Sequence, residues 1–371
     1  MFRSALGVFI SLVALSVAAP AASAQSSTAK TAKTAKTGKK QVVKKAAVKS
    51  KKATALKASH PIVKTSIRGA VAHKRPHKSG YQRVSFAPPI PSTPPAPPVL
   101  TAGDIAGLNL TRDAVGLKSS AAVVIDQVTS QVLFEKNAKV ALPIASLTKL
   151  MTAVVVVEAR QNMDEILEVT SDDVDREKNS SSRLRVGAHM TRANMLHIAL
   201  MSSENRAASA LGRHYPGGLT AFVAAMNAKA KALGMADTHF VDSTGLSSQN
   251  IASARDLSRL VVAAYQHPII REYSTDARYA VATGTGHQLQ YMNSNRLVMN
   301  PDWEIGLQKT GYISEAGRCL VMQTRIDGRP VVMVFLDSKG KDSRLADAGR
   351  IRKWLANMRP ETVVQASANQ S

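Results

Sequence analysis

The sequence predicts an α+β fold in which an antiparallel sheet is covered by helices. Residues 121–125 and 131–135 read as a strand pair around the turn Asp126–Ser130. Residues 318–326 and 330–336 read as a second pair, joined by Asp327-Gly328, a strong hairpin-turn dipeptide. Helical stretches lie between the two pairs, and after Asp342 the residues Leu345, Ala348, Ile351, Trp354, Leu355 and Met358 recur with the period of an amphipathic helix. Strands at both ends with helices between them favour one antiparallel sheet over a parallel one.

The elements follow in chain order. Residues 1–24 have the layout of a secretory leader, with Arg3 in the n-region, Leu6 to Ala18 as the apolar run and Ala22-Ser23-Ala24 as the cleavage site. The run is too short for a membrane anchor, and no later segment is long enough to span a bilayer. An exported, periplasmic protein is expected, soluble or peripherally held. Residues 25–100 form a tail that opens with near-repeats such as Thr28-Ala29-Lys30 and Thr31-Ala32-Lys33. It closes on a stretch, 88–98, in which seven of eleven residues are proline. This composition predicts a disordered tether ending in a stiff spacer. Residues 101–371 are left as the catalytic domain, with a core over about 115–358.

The net charge of +23 is concentrated in that tail. Residues 25–100 hold 17 Lys and Arg and no Asp or Glu; with Arg3 removed as well, 101–371 keep 49 − 18 = 31 basic and 26 acidic residues, or +5. By composition alone the tail reads as nucleic-acid binding. The leader argues against nucleic acid and for anionic cell-envelope polymers or lipid headgroups; a solvated tether without a dedicated partner is the other reading. The lone Cys319 cannot pair within the chain and lies in an apolar run, so it reads as an inert core thiol. The nine histidines show no zinc-ligand spacing, and no metal or cofactor is expected.

Three short motifs carry chemistry. Ser146 and Lys149, three apart, fall on one face of a helix. A serine hydroxyl needs a neighbouring base, and lysine is one only when burial or nearby cations pull its pKa far down. The apolar stretch Leu150 to Val157 supplies a buried helix, and Lys309 would add a cation if the fold brings it close. The bland alternative is a serine cap with an exposed lysine. Ser203-Glu204-Asn205 reads as a loop or N-cap before an alanine-rich helix, Arg206 to Leu211. Lys309-Thr310-Gly311 reads as the opening of a strand lining a cleft. Lys309 and Thr310 suit a carboxylate, and Gly311 would let a substrate backbone lie close.

Together the motifs match the S-x-x-K, S-x-N and K-T-G set of penicillin-binding proteins and serine β-lactamases. Pro143 to Thr152, Ser243-Thr244-Gly245-Leu246, Lys309-Thr310-Gly311-Tyr312 and Ala316 to Leu320 resemble the low-molecular-weight D-alanyl-D-alanine peptidases, over roughly residues 115–358. The resemblance implies a serine β-lactamase/DD-peptidase-like fold: a five-stranded antiparallel sheet flanked by helices, plus an all-helical lobe carrying Ser203 and Asn205. It implies Ser146 as nucleophile, Lys149 as base and Ser203 as proton relay. It also implies substrate binding by Asn205, Lys309, Thr310 and Gly311, and an oxyanion hole from the backbone N–H groups of Ser146 and Tyr312. Glu204 departs from the Asp or Gly usual at that position, and is read as tolerable because only its neighbours face the cleft.

The reading that follows is a penicillin-sensitive serine peptidase acting on peptidoglycan stem peptides. A class A β-lactamase shares the triplets, but no acidic residue between Asn205 and Lys309 sits in the Glu-x-x-Leu-Asn pattern such enzymes use. A non-catalytic envelope-binding protein is disfavoured by the intact motif residues. Only 60 residues follow Gly311, short of the β-rich domain and anchor usual in carboxypeptidases of the family. This layout resembles the endopeptidase branch, with carboxypeptidase activity as the alternative.

Overall fold

The structure, a computed structural model, describes residues 99–358. The leader, the basic and proline-rich tail as far as residue 98, and residues 359–371 lie outside the described residues.

The strands are β1 (Ser119–Asp126), β2 (Val132–Lys136), β3 (Leu142–Pro143), β4 (Ile166–Glu168), β5 (His189–Thr191), β6 (Ile251–Ala252), β7 (Arg278–Ala282), β8 (Gln288–Met292), β9 (Glu304–Ile313), β10 (Gly317–Ile326) and β11 (Arg329–Ser338). The helices are α1 (Ala102–Ile105), α2 (Thr148–Glu158), α3 (Arg192–Met201), α4 (Asn205–Arg213), α5 (Gly218–Ala232), α6 (Ala254–Tyr265), α7 (Pro268–Thr275) and α8 (Ser343–Asn357). Five strands form the main sheet in the order β2-β1-β11-β10-β9, all antiparallel. Both predicted strand pairs are present. Asp327 and Gly328 turn between β10 and β11 with φ of 52° and 80°, the positive values a two-residue hairpin turn of the favoured hand demands.

The central strands are apolar on both faces because both faces are covered. In β1, Ala121, Val123 and Ile125 enter one core cluster while Ala122 and Val124 enter another. β11 alternates the same way, Val332, Val334 and Leu336 against Val331, Met333 and Phe335. The second cluster is closed by α8, whose Ala348 and Ile351 are buried and whose Trp354 meets Phe134 edge to face at 5.7 Å. The first is closed by α2 and α6, and α2 packs in turn against α3, α4 and α5, the helical lobe. Residues 148–156 of α2 are all buried, which explains why its sequence has no polar face.

One expectation is corrected. Lys309-Thr310-Gly311 does not open its strand; β9 begins at Glu304, so the triplet lies in its second half. A polar start, Glu304 with Gly306 and Gln308, hides the strand's periodicity from the sequence. β9 is the sheet's edge strand, and its outer side is covered in part by α7, where the N–H of Gln308 donates to Oγ of Ser274 at 3.4 Å.

Candidate active site

The turn that carries Ser146 is built from backbone conflict. Ala145–Leu147 form a turn of 3-10 helix running directly into α2, and Ala145, just before Ser146, holds φ of 49°. That left-handed conformation is costly for a residue with a Cβ and persists only where surroundings impose it. Two glycines do so. A Cβ on Gly245 would lie 2.0 Å from the carbonyl oxygen of Ala145, and one on Gly311 would lie 2.9 Å from the oxygen of Ile144 and 3.2 Å from the nitrogen of Ser146. Gly311 is therefore required by the protein's own turn, whatever it also allows a substrate. This contact sets the backbone of Ser146 beside β9, with Tyr312 the next residue along.

Lys149 is 1% exposed. Its Nζ lies 3.0 Å from Oγ of Ser146, 2.7 Å from Oδ1 of Asn205 and 2.6 Å from the carbonyl oxygen of Thr244. A neutral amine has two N–H groups and one lone pair. The amide oxygen and the backbone carbonyl can only accept, so they take both N–H groups and leave the lone pair for the Ser146 hydroxyl. Burial pulls the Lys149 pKa down to about 7, while the negative charges of Asp242, Glu204 and Asp175 oppose that shift. A base poised near neutrality is what general-base activation of a serine asks for.

Lys309 is fully buried, and its Nζ donates to the carbonyl oxygen of Thr310 at 2.9 Å. Its pKa falls well below the ordinary lysine value, through burial first and then repulsion from Lys149 and Arg344. The expected lowering of the Lys149 pKa by Lys309 is not what acts there, where burial is opposed by three carboxylates; the repulsion between the two lysines bears on Lys309. Thr310 donates its hydroxyl to Oγ of Ser294 at 2.7 Å.

Asn205 opens α4, with its Nδ2 donating to Oγ of Ser180 at 2.9 Å and its Oδ1 turned to Lys149. Ser203 sits in the link between α3 and α4 with φ of 65°, where helix ends more often place glycine. It is half-buried, and Lys149 reaches the site's other groups without it.

Several contributors were not assigned a role from sequence. Glu204 is buried: it accepts from Oγ of Ser182 at 2.6 Å and from the Tyr291 hydroxyl at 3.4 Å, and caps α4 through the N–H of Arg206. Burial and the Glu204 charge push the Tyr291 phenol well above its usual range. Asp242 accepts from the N–H of Thr244, the hydroxyl of Thr244 and the N–H of Gly245 at 2.5, 2.7 and 2.6 Å, and so aims the Thr244 carbonyl at Lys149. Arg344 on α8 keeps two buried guanidinium nitrogens without hydrogen-bond partners among the described residues, and its charge bears on Lys309. The acceptor-rich Ser-Thr-Gly loop was visible in sequence; the arginine, far along the chain, was not.

Residues 109–340 match the peptidase S11 family, described as D-alanyl-D-alanine carboxypeptidase. The chain belongs to the peptidase S11 family. It is 48% identical over 251 residues to a D-alanyl-D-alanine endopeptidase of Pseudomonas aeruginosa, covering 67% of this chain and 80% of that one. A D-alanyl-D-alanine endopeptidase of Escherichia coli K12 is 45% identical, covering 64% of this chain and 77% of that one. Among solved structures, the Streptomyces K15 DD-transpeptidase superposes with a TM-score of 0.62 at 26% identity, covering 67% of this chain and all of the other. The α+β architecture of this S11 chain is thus that of the penicillin-binding DD-peptidases.

Proposed function

We infer that this chain is an exported serine peptidase that hydrolyses D-alanyl peptide bonds of peptidoglycan through an acyl-enzyme, with the D-alanyl-diaminopimelate cross-link as preferred substrate. The observation that carries the chemistry is the coordination of Lys149: two fixed acceptors consume its N–H groups and its lone pair faces Ser146. As Oγ of Ser146 bonds to the carbonyl carbon, its proton passes to Nζ of Lys149. The oxyanion is held by the backbone N–H groups of Ser146 and Tyr312. The C–N bond breaks as Ser203 relays a proton to the leaving amine, and water then adds to the ester and restores the Ser146 hydroxyl. Asn205 holds a substrate amide. Lys309, Thr310 and Arg344 hold the carboxylate beside the scissile bond, which a cross-link and a terminal D-alanine both provide.

The preference for cross-links rests on the relatives named endopeptidases at 48% and 45% identity, against 30% for the Bacillus subtilis carboxypeptidase DacF. β-Lactams are expected to acylate Ser146. The basic tail is proposed to hold the domain near anionic envelope polymers in the periplasm. The test is chromatography of muropeptides: cross-linked dimers are expected to become monomers faster than pentapeptides lose D-alanine. Release of D-alanine while dimers persist would establish a carboxypeptidase.

A further inference from the structure

β9 carries a surface feature that this scheme leaves unused. Lys309, Thr310 and Ile313 are buried, yet Tyr312 between them is 56% exposed. Directly across the antiparallel register stands Arg318, whose guanidinium carbon lies 4.5 Å from the centre of the Tyr312 ring. Strand alternation puts Thr310 and Tyr312 on one face, while Gly311 turns the other face to the nucleophile turn. A carboxylate resting at Thr310 thus has the ring of Tyr312 two residues along on the same face. Other arginines nearby are neutralised, Arg296 by Asp342 and Arg350 by Asp347. Among the described residues no carboxylate pairs with Arg318, whose charge instead bears on Arg344.

We propose that Tyr312 and Arg318 form a subsite for the peptide stem that leaves when a cross-link is cut. This rests on the endopeptidase reading. A terminal D-alanine departs with one carboxylate and a methyl group, and needs nothing beyond Thr310 and its cations. The amine released from a cross-link belongs to a diaminopimelate within a whole stem, which carries a methylene chain and further carboxylates. The ring packs along the methylenes, and the guanidinium, held over that ring, takes a second carboxylate. The pair thus separates the two substrates by what lies beyond the shared carboxylate.

The test uses the full chain and compares kcat/KM for a purified cross-linked dimer with that for a small ester ending in one carboxylate. In Arg318→Gln the dimer-to-ester ratio is expected to fall by about tenfold or more, the weight of one charge-assisted contact, and chiefly through KM. Arg318→Lys should retain part of the ratio, and added salt should lower it less in Arg318→Gln than in wild type. Equal losses on both substrates, as from a misfolded or generally damaged site, or an unchanged ratio would overturn the subsite. Wild type that spares dimers sinks the endopeptidase reading before any variant is compared; wild type that cuts them with unmoved variants sinks the subsite alone.

Discussion

Nζ of Lys149 lies 2.7 Å from Oδ1 of Asn205, so the residue read as a substrate contact also orients the amine proposed as base. The neutral amine is the competent form, and its pKa is about 7. Acylation by a fluorescent penicillin should therefore rise through about pH 7 and level off above it. Asn205→Asp places a carboxylate on the amine, favours the charged form and moves this rise to higher pH. A rise left in place or shifted downward would show that Lys149 is not the titrating base.

Glu204 makes the opposite prediction. Its charge raises the Lys149 pKa against burial, so Glu204→Gln should move the same rise to lower pH. Glutamine can still accept from Ser182, and the stability cost should stay near ~1 kcal/mol; Glu204→Ala, which strands the buried Tyr291 hydroxyl and removes the cap of α4, should cost about 2–3 kcal/mol. Thermal unfolding beside the pH profile separates the two effects.

The glycine contacts yield a graded pair. Gly311→Ala meets Ile144 at 2.9 Å, a clash a small shift of the turn relieves, so the protein should fold while acylation drops by about a hundredfold or more as the nucleophile moves. Gly245→Ala combines a 2.0 Å clash against backbone with φ of 80°, and should cost on the order of 3 kcal/mol or more in unfolding free energy. An active, stable Gly245→Ala protein would contradict the geometry.

What was legible in the sequence divides along physical lines. The hairpin at Asp327-Gly328 and the apolar stripe of α8 depend on local chemistry and periodicity, and both are readable in the sequence. Ser146, Lys149 and Asn205 stand out in the sequence because the proposed reaction admits few residue types, and the fold brings their side chains together. The Thr244 carbonyl and Gly245 act through backbone, which every residue has, so only their approach in space reveals them. Asp347 shows the same limit. It sits in the stripe of α8 as a fully buried carboxylate, accepting from the N–H groups of Lys118 and Ser119 at 3.0 and 2.9 Å. Periodicity alone would place an apolar residue there. Asp347→Ala should destabilise by about 3–5 kcal/mol, since it leaves those donors and Arg350 unpaired, and acylation should be lost only as folding is lost.

Cys319 should be silent until the protein unfolds. Its thiol is fully buried, and burial pushes its pKa up to about 12, so almost no thiolate is present at pH 8. Labelling by a disulfide reagent should follow the unfolding curve and be absent from the native protein. Fast native labelling would mean that β10 opens at the Cys319–Gly311 pairing.

Lys309 separates function from stability most sharply. It is a buried amine with no carboxylate partner among the described residues, facing Lys149 and Arg344. Methionine matches its length without a charge to desolvate. Lys309→Met should abolish most acylation and yet stabilise the fold by about 1–4 kcal/mol near neutral pH, as when a buried ionic group gives way to an apolar one. The sign of its pH dependence follows from the lowered folded-state pKa. Above that value the unfolded chain holds a proton at Lys309 that the folded chain lacks, so wild-type stability rises with pH until the unfolded lysine also deprotonates near ~10.4. The variant has no such slope. The gap in unfolding free energy between Lys309→Met and wild type should therefore be widest at low and neutral pH and narrow towards pH ~10. A gap constant across that range would show that Lys309 is not perturbed by burial, and a less stable variant would show that an unseen partner neutralises it.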